Sequence, residues 1–246
     1  MFWDLFPMIR LPLARKDFER LRGIRHPAYK YELVRGETIL TPRPNPARAV
    51  LDLASWSKRK DRPRRLFGED SVLIRPLGEG DWKLLPTLLE TAHSFEPPFS
   101  LLSETKRSKA AKDLIEFLRT GGEGVLMDRA SAVAVDGDSR KALVGAVIVT
   151  KIPRRKYFWE ERRQAPAGGA KARSKKDAWI PHLTWALVHA WEQRHGIGTR
   201  LLGHAVGALA KAGHKHLTST FLIGNATAMS WHWRNGFELV GRPSML

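Results

Sequence analysis

Val188-His-Ala-Trp-Glu-Gln-Arg-His-Gly-Ile-Gly198 is the stretch on which the reading of this chain turns. The apolar run before it, residues 183 to 188, reads as a strand. After it, Leu201, Leu202, Ala205, Val206 and Leu209 recur at helical spacing. Between strand and helix lies a turn carrying Gln193, Gly196 and Gly198. A helix start leaves its first amide N–H groups without intrahelical partners and carries about half a positive charge. Glycine lets such a turn take positive φ and come close to an anion. The segment predicts a strand–turn–helix whose amides grip a phosphate. Glycine pairs are common at turns, so the spacing gains its weight from a second motif further along the chain.

Working outward, Asn225-x-x-Ala228 opens a second helical run 27 residues beyond Gly198, and Asn235-Gly236-Phe237 closes it. An amphipathic helix (199 to 212) and a strand (217 to 223) separate the two motifs. With both in this order, the chain resembles the GNAT superfamily of acyl-CoA-dependent N-acyltransferases, most clearly over 183 to 240 and from about residue 71. Motifs of that family read Val-x-Pro-x-x-Gln/Arg-x-x-Gly-x-Gly and Asn-x-x-Ala-x-x-Leu-Tyr-x-x-x-Gly-Phe. Here Ala190 stands where the proline is usual and His232 where the tyrosine is usual.

The resemblance implies a mixed α/β (α+β) fold: a mostly antiparallel central sheet flanked by helices, with an N-terminal extension. It implies acetyl-CoA as co-substrate, with no metal, and an N-acetyltransferase acting on an amine by direct attack. The backbone of Gln193, Arg194, His195, Gly196, Ile197, Gly198 and Thr199 would hold the pyrophosphate. The backbone of Leu187, Val188, His189 and Ala190 would pair with the pantetheine arm, the Val188 N–H facing the thioester oxygen. Asn225 would reach the cofactor across two splayed strands; its bland alternative is a helix N-cap, a place asparagine favours. His232 would be the proton donor to the leaving thiol, against the alternative of a histidine packed between Trp231 and Trp233. No general base stands out: His182, His189 and Glu96 are single polar residues in ordinary places. Trp185, Trp191, Trp231 and Trp233 read as an aromatic packing cluster.

The remaining sequence organises around this domain. Val72 to Leu77 reads as a strand and 79 to 92 as a helix, with Pro86 arguing for a later start. Residues 104 to 119 form a better helix, and 132 to 135 and 143 to 152 read as strands. The basic stretch from 154 to 181 is long for a connection between neighbouring strands. Upstream, 17 to 25 suits a short basic helix, and 29 to 41 a hairpin about Arg35-Gly36. Pro42, Pro44 and Pro46 then predict an end to regular structure, and 58 to 65 a charged linker. That places the boundary near residue 70: an extension over 1–70 and the transferase-like domain over 71–246. Only nine residues follow Phe237, fewer than the family's usual further strand needs, so the hairpin is a candidate cover for the sheet edge.

Composition bounds the rest. The 246 residues suit one medium domain plus an appendage, and no apolar run is long enough to span a bilayer. The apolar start, residues 1 to 9, lacks a signal peptide's leading charge and cleavage site, and the default location is the cytoplasm. With no cysteine, disulfides, thiolate metal sites and a cysteine nucleophile are excluded. The net charge of +17 divides as +7 over 1–70, zero over 71–153, +6 over 154–182 and +4 over 183–246. The last suits an anionic cofactor. The basic surface disfavours polyamines and basic peptides as acceptors and leaves acidic small molecules, nucleotide-linked substrates or acidic proteins. The alternative class is a non-catalytic acyl-CoA-binding or nucleic-acid-associated module.

Overall fold

The structure, a computed structural model, describes residues 9–11, 29–34, 37–42, 46–59, 72–94, 99, 102–137, 142–154, 178–222 and 225–240. The helix expected at 17–25, Glu96 and most of the basic 154–181 stretch lie outside the described residues.

Among the described residues, two sheets form. A small antiparallel one joins β1 (Ile9–Leu11), β2 (Tyr29–Val34) and β3 (Glu37–Pro42) in the order β1-β3-β2. The hairpin expected at 29–41 therefore forms, but its free side pairs with Ile9–Leu11.

The central sheet is built from β4 (Pro46–Asp52), β5 (Val72–Pro76), β6 (Val125–Leu126), β7 (Ala132–Asp136), β8 (Leu143–Pro153), β9 (Trp179–Val188), β10 (His216–Leu222) and β11 (Glu238–Leu239). Its order is β11-β4-β10-β9-β8-β7-β5, with β6 on β8. Every pairing is antiparallel except β9 with β10. Both faces are covered. Helices α1 (Leu53–Lys58), α4 (Ile197–Lys211) and α5 (Ala226–Arg234) contribute Trp56, Leu201, Leu202, Ala205 and partly buried Trp231 to one core. Helices α2 (Leu85–Ala92) and α3 (Glu104–Arg119) contribute Leu85, Leu89, Leu114 and Ile115 to the other. Strand alternation divides β7 between them, Ala132 and Ala134 to the first and Val133 and Val135 to the second. The helix expected from 79 begins at Leu85 with Pro86 at its start, where a missing N–H costs nothing.

One finding corrects the sequence reading of the N-terminal part. The edge beyond β10 is covered by Pro46–Asp52, not by the hairpin. All seven residues of β4 pair with β10, from His216↔Asp52 to Leu222↔Pro46, and β11 then adds to the outer side of β4. Pro46 does not stop regular structure; it is the first residue of a strand, a position that tolerates a missing donor. Ala49 and Leu51 are each 1% exposed, in the same core as α1 and α4. The expected 1–70 extension thus supplies a strand and a helix to the central domain.

Candidate active site

The site grows from one irregularity in β9. Ile148 pairs with Trp185 and Val149 with Leu183, so Thr184 is an extra residue on β9. Such a bulge bends its strand. Before the bulge, His182 and Leu183 pair with Thr218 and Ser219 of β10; beyond it no further described residues of the two strands pair.

Strand β9 remains on β8 to its end, where the His189 N–H donates to the Val144 carbonyl at 2.9 Å. Strand alternation then turns the Val188 N–H and C=O the other way, toward the side where β10 has departed. This narrows the expectation for 187–190. Leu187 is 1% exposed in the α2–α3 core, the His189 amide is spent on β8, and Ala190 begins a 3₁₀ turn (Ala190–Glu192) capped by the His189 ring. Of the four, Val188 is the residue whose N–H and C=O both turn away from β8.

The turn into α4 is built as the glycines predict. Arg194 and Gly196 both take left-handed conformations, at φ 69° and 80°, and Gly196 is the α4 N-cap with no side chain to bond the first turn. Thr199 and Arg200 both donate to the Gly196 carbonyl, at 3.1 and 3.0 Å. The Thr199 amide is therefore used within the helix. Among the described residues, the amides of Gln193, Arg194, His195, Gly196, Ile197 and Gly198 donate to no backbone carbonyl. Arg194 and His195 have exposed side chains, and the His195 Nδ1 lies 3.3 Å from the Glu192 carboxylate. Ile197 is 3% exposed, so only its backbone faces the turn. A Cβ on Gly198 would sit 2.9 Å from the Trp231 Nε1 and 3.5 Å from Val188 Cγ2, so α5 and β9 both come against this first turn.

The second motif is organised around two caps. Asn225 is the N-cap of α5, its Oδ1 accepting from the Ala228 N–H at 2.8 Å. His232 is 7% exposed, among Phe221, Trp231 and Phe237 with ring centroids 4.3, 5.0 and 4.8 Å away. Its Nδ1 lies 2.7 Å from the Ala228 carbonyl and its Nε2 2.8 Å from the Ser219 Oγ. A carbonyl only accepts, so Nδ1 donates and Nε2 accepts from the Ser219 hydroxyl. Burial lowers the His232 pKa to about 4, opposed in part by the bond to Ala228. The ring is neutral near pH 7 and both nitrogens have partners; it packs against Trp231 as the alternative expected, but with Phe221 and Phe237 rather than Trp233, which is 80% exposed. The Ser219 partnership was not legible in the sequence, since it joins β10 to α5 across a fold contact.

The histidine of β9 is arranged differently. Thr218 donates its hydroxyl proton to the Pro181 carbonyl at 2.8 Å, so His182 Nδ1, 3.0 Å from that oxygen, is the donor in their contact. Of the tryptophans expected in a core, Trp185 and Trp231 are partly buried, whereas Trp191 and Trp233 are 75% and 80% exposed.

The central domain is a mixed, mostly antiparallel sheet flanked by helices, with a helix start at Gly196 that no side chain caps. The sequence model of the acetyltransferase (GNAT) family matches residues 109–237, more than half of the chain. The chain belongs to the GNAT family of acetyltransferases. No curated protein matches it. Among solved structures it is similar to a GCN5-related N-acetyltransferase from Sphaerobacter thermophilus (14% identity, 94% of this chain and 55% of that one, TM-score 0.48). It is also similar to a transcriptional regulator from Bacillus halodurans (17%, 71% and 98%, TM-score 0.45). A third is the PaiA N-acetyltransferase from Thermoplasma acidophilum in complex with coenzyme A (18%, 68% and 90%, TM-score 0.46). The chain spans about half the length of the first of these.

Proposed function

We propose that this chain transfers an acetyl group from acetyl-CoA to an amine by direct attack in a ternary complex. One observation carries the reading: the unspent amides of 193–198 sit at the mouth of α4, beside the opening of β9 from β10, with the Val188 N–H turned the same way. The amides would take the pyrophosphate, where helix dipole and N–H groups act together. The arm would then run along the freed edge of β9 and bring the thioester carbonyl to the Val188 N–H.

The chemistry is set by that placement. A neutral amine forms a bond to the thioester carbonyl carbon, and the oxygen takes the negative charge. A preorganised N–H at such an oxyanion is worth about 3 kcal/mol. Collapse breaks the carbon–sulfur bond, and the thiolate takes the proton that the nitrogen loses. His232 plays no part in that proton transfer on this reading; with Ser219 and Ala228 it fixes α5 against β10. Asn225 orders the start of α5, and its cap is compatible with a cofactor contact. The acceptor is an amine on a molecule that a basic surface does not repel, such as an acidic small molecule or protein.

The committed His232 also gives some support to a second reading, in which the fold holds acyl-CoA without turnover. A thiol-release assay with acetyl-CoA and a panel of amines separates the two. Release with at least one amine is expected. Tight coenzyme A binding with no release across the panel would favour the second reading, and no binding at all would end both.

A further inference from the structure

We infer that the Gln193 side chain is a positioning residue for the transfer step, tying the end of the thioester-bearing strand to the end of helix α2. The inference rests on the proposed acyltransferase function. The Gln193 Nε2 lies 3.3 Å from the Ala92 carbonyl and 3.4 Å from the Val188 carbonyl. A carboxamide nitrogen has two hydrogens and no lone pair to offer, and both neighbours are carbonyls, so the amide orientation is set by chemistry: each hydrogen meets one acceptor.

The two carbonyls belong to parts of the molecule remote in sequence. Ala92 is the last residue of α2, where a helix leaves its carbonyls unpaired, and Gln193 supplies a donor. Val188 is the last residue of β9, and its carbonyl points to the side that β10 has left. The neighbouring His189 N–H is held from the opposite side by Val144. The peptide between Val188 and His189 is thus gripped at both ends. That grip fixes the plane of the Val188–His189 peptide and so restrains ψ of Val188, the residue whose N–H belongs to the preceding peptide and turns to the same side as its carbonyl. Gln193 has a second consequence for the cleft: it occupies the Val188 carbonyl, leaving the N–H of that residue for the cofactor. The same side chain belongs to the turn whose backbone would hold the pyrophosphate. One residue therefore links three parts of the site: diphosphate turn, thioester strand and the helix on the opposite face of the sheet. It touches no reacting atom on this reading.

Both bonds are at the long end of the hydrogen-bonding range, so the expected effect is moderate. Gln193→Leu removes both donors. Gln193→Glu keeps the shape but sets a carboxylate against two carbonyls. Gln193→Arg restores N–H donors without an acceptor. Steady-state kinetics on the full chain should give kcat reduced about 10-fold in the Leu and Glu variants, with KM for acetyl-CoA within about 3-fold, and substantial recovery in the Arg variant. A wild-type kcat in Gln193→Leu overturns the inference, as does a change confined to KM or an Arg variant no better than Glu. Hydrogen exchange gives a readout independent of turnover: in Gln193→Leu, peptides containing Ala92 and Val188 should exchange faster together, and unchanged exchange in either overturns the tie. If the wild type neither binds nor cleaves acetyl-CoA, the functional reading fails while the exchange result still decides the tie.

Discussion

His232 and Gly196 illustrate how a single residue's surroundings decide its chemistry. Imidazole near its ordinary pKa of about 6.5 is a versatile proton carrier. Burial among three aromatic rings disfavours the charged ring and lowers the His232 pKa to about 4, against the opposing effect of its bond to the Ala228 carbonyl. The folded state then binds fewer protons than the unfolded chain between those two values, so stability rises with pH across that window. The contribution is present above about pH 6.5 and is lost as pH falls toward 4; a shift of this size corresponds to on the order of 3 kcal/mol. Denaturant titrations at pH 7 and pH 5 should show this loss, with the slope flattened in His232→Asn. An equal slope in the variant would assign it to other groups. Gly196 is decided by backbone. At φ 80° it needs a residue tolerant of the left-handed region, and aspartate tolerates it better than most. Gly196→Asp should therefore fold yet lose coenzyme A binding by calorimetry, because its carboxylate would lie where the pyrophosphate is expected. Retained affinity in a folded variant would remove the phosphate role from this turn.

At the scale of elements, the decisive pieces are the bulge in β9 and the strand contributed by the N-terminal part. The bulge at Thr184 falls where the pairing of β9 with β10 ends, while β9 stays on β8 to Val188. Strand β4 does the opposite and closes what would be an open edge on β10. Its Leu51 is 1% exposed in the core that α1, α4 and α5 share. Leu51→Ala should cost about 2–5 kcal/mol, read from chemical denaturation of the whole chain. A cost below about 1 kcal/mol would mean that the N-terminal strand is a dispensable cover rather than part of the core. Helix α4 is seated by close approach on its other side. Gly145 admits Leu201 and Ile197 so closely that a Cβ there would lie 2.9 and 3.0 Å from them, which sets the helix over β8.

For the whole molecule, the family model covers the C-terminal half, while the sheet takes one of its strands from a segment some 60 residues before that match begins. This division explains what was readable. Helices α3 and α5 occur at the residues their apolar spacing and stop signals indicate. The turn at 193–198 has the left-handed glycine its sequence calls for. Strand β4 escaped because Ala47, Ala49 and Leu51 alternate over a short run that begins among prolines, a pattern that gains meaning only from the edge it meets. The same limit applies within the site. Gln193 was legible as part of a motif, but its bonds to Ala92 and Val188 span about 100 and 5 residues. The sequence by itself determined the family, the strand–turn–helix and the glycines at its mouth, since these depend on local backbone geometry and side-chain period. Only the tertiary structure decided which β9 amides are spent on β8, which segment guards β10, and that His232 is buried with partners on both ring nitrogens. Each of those depends on contacts between residues far apart in the chain, where burial and a specific hydrogen-bond partner override what the isolated residue would do.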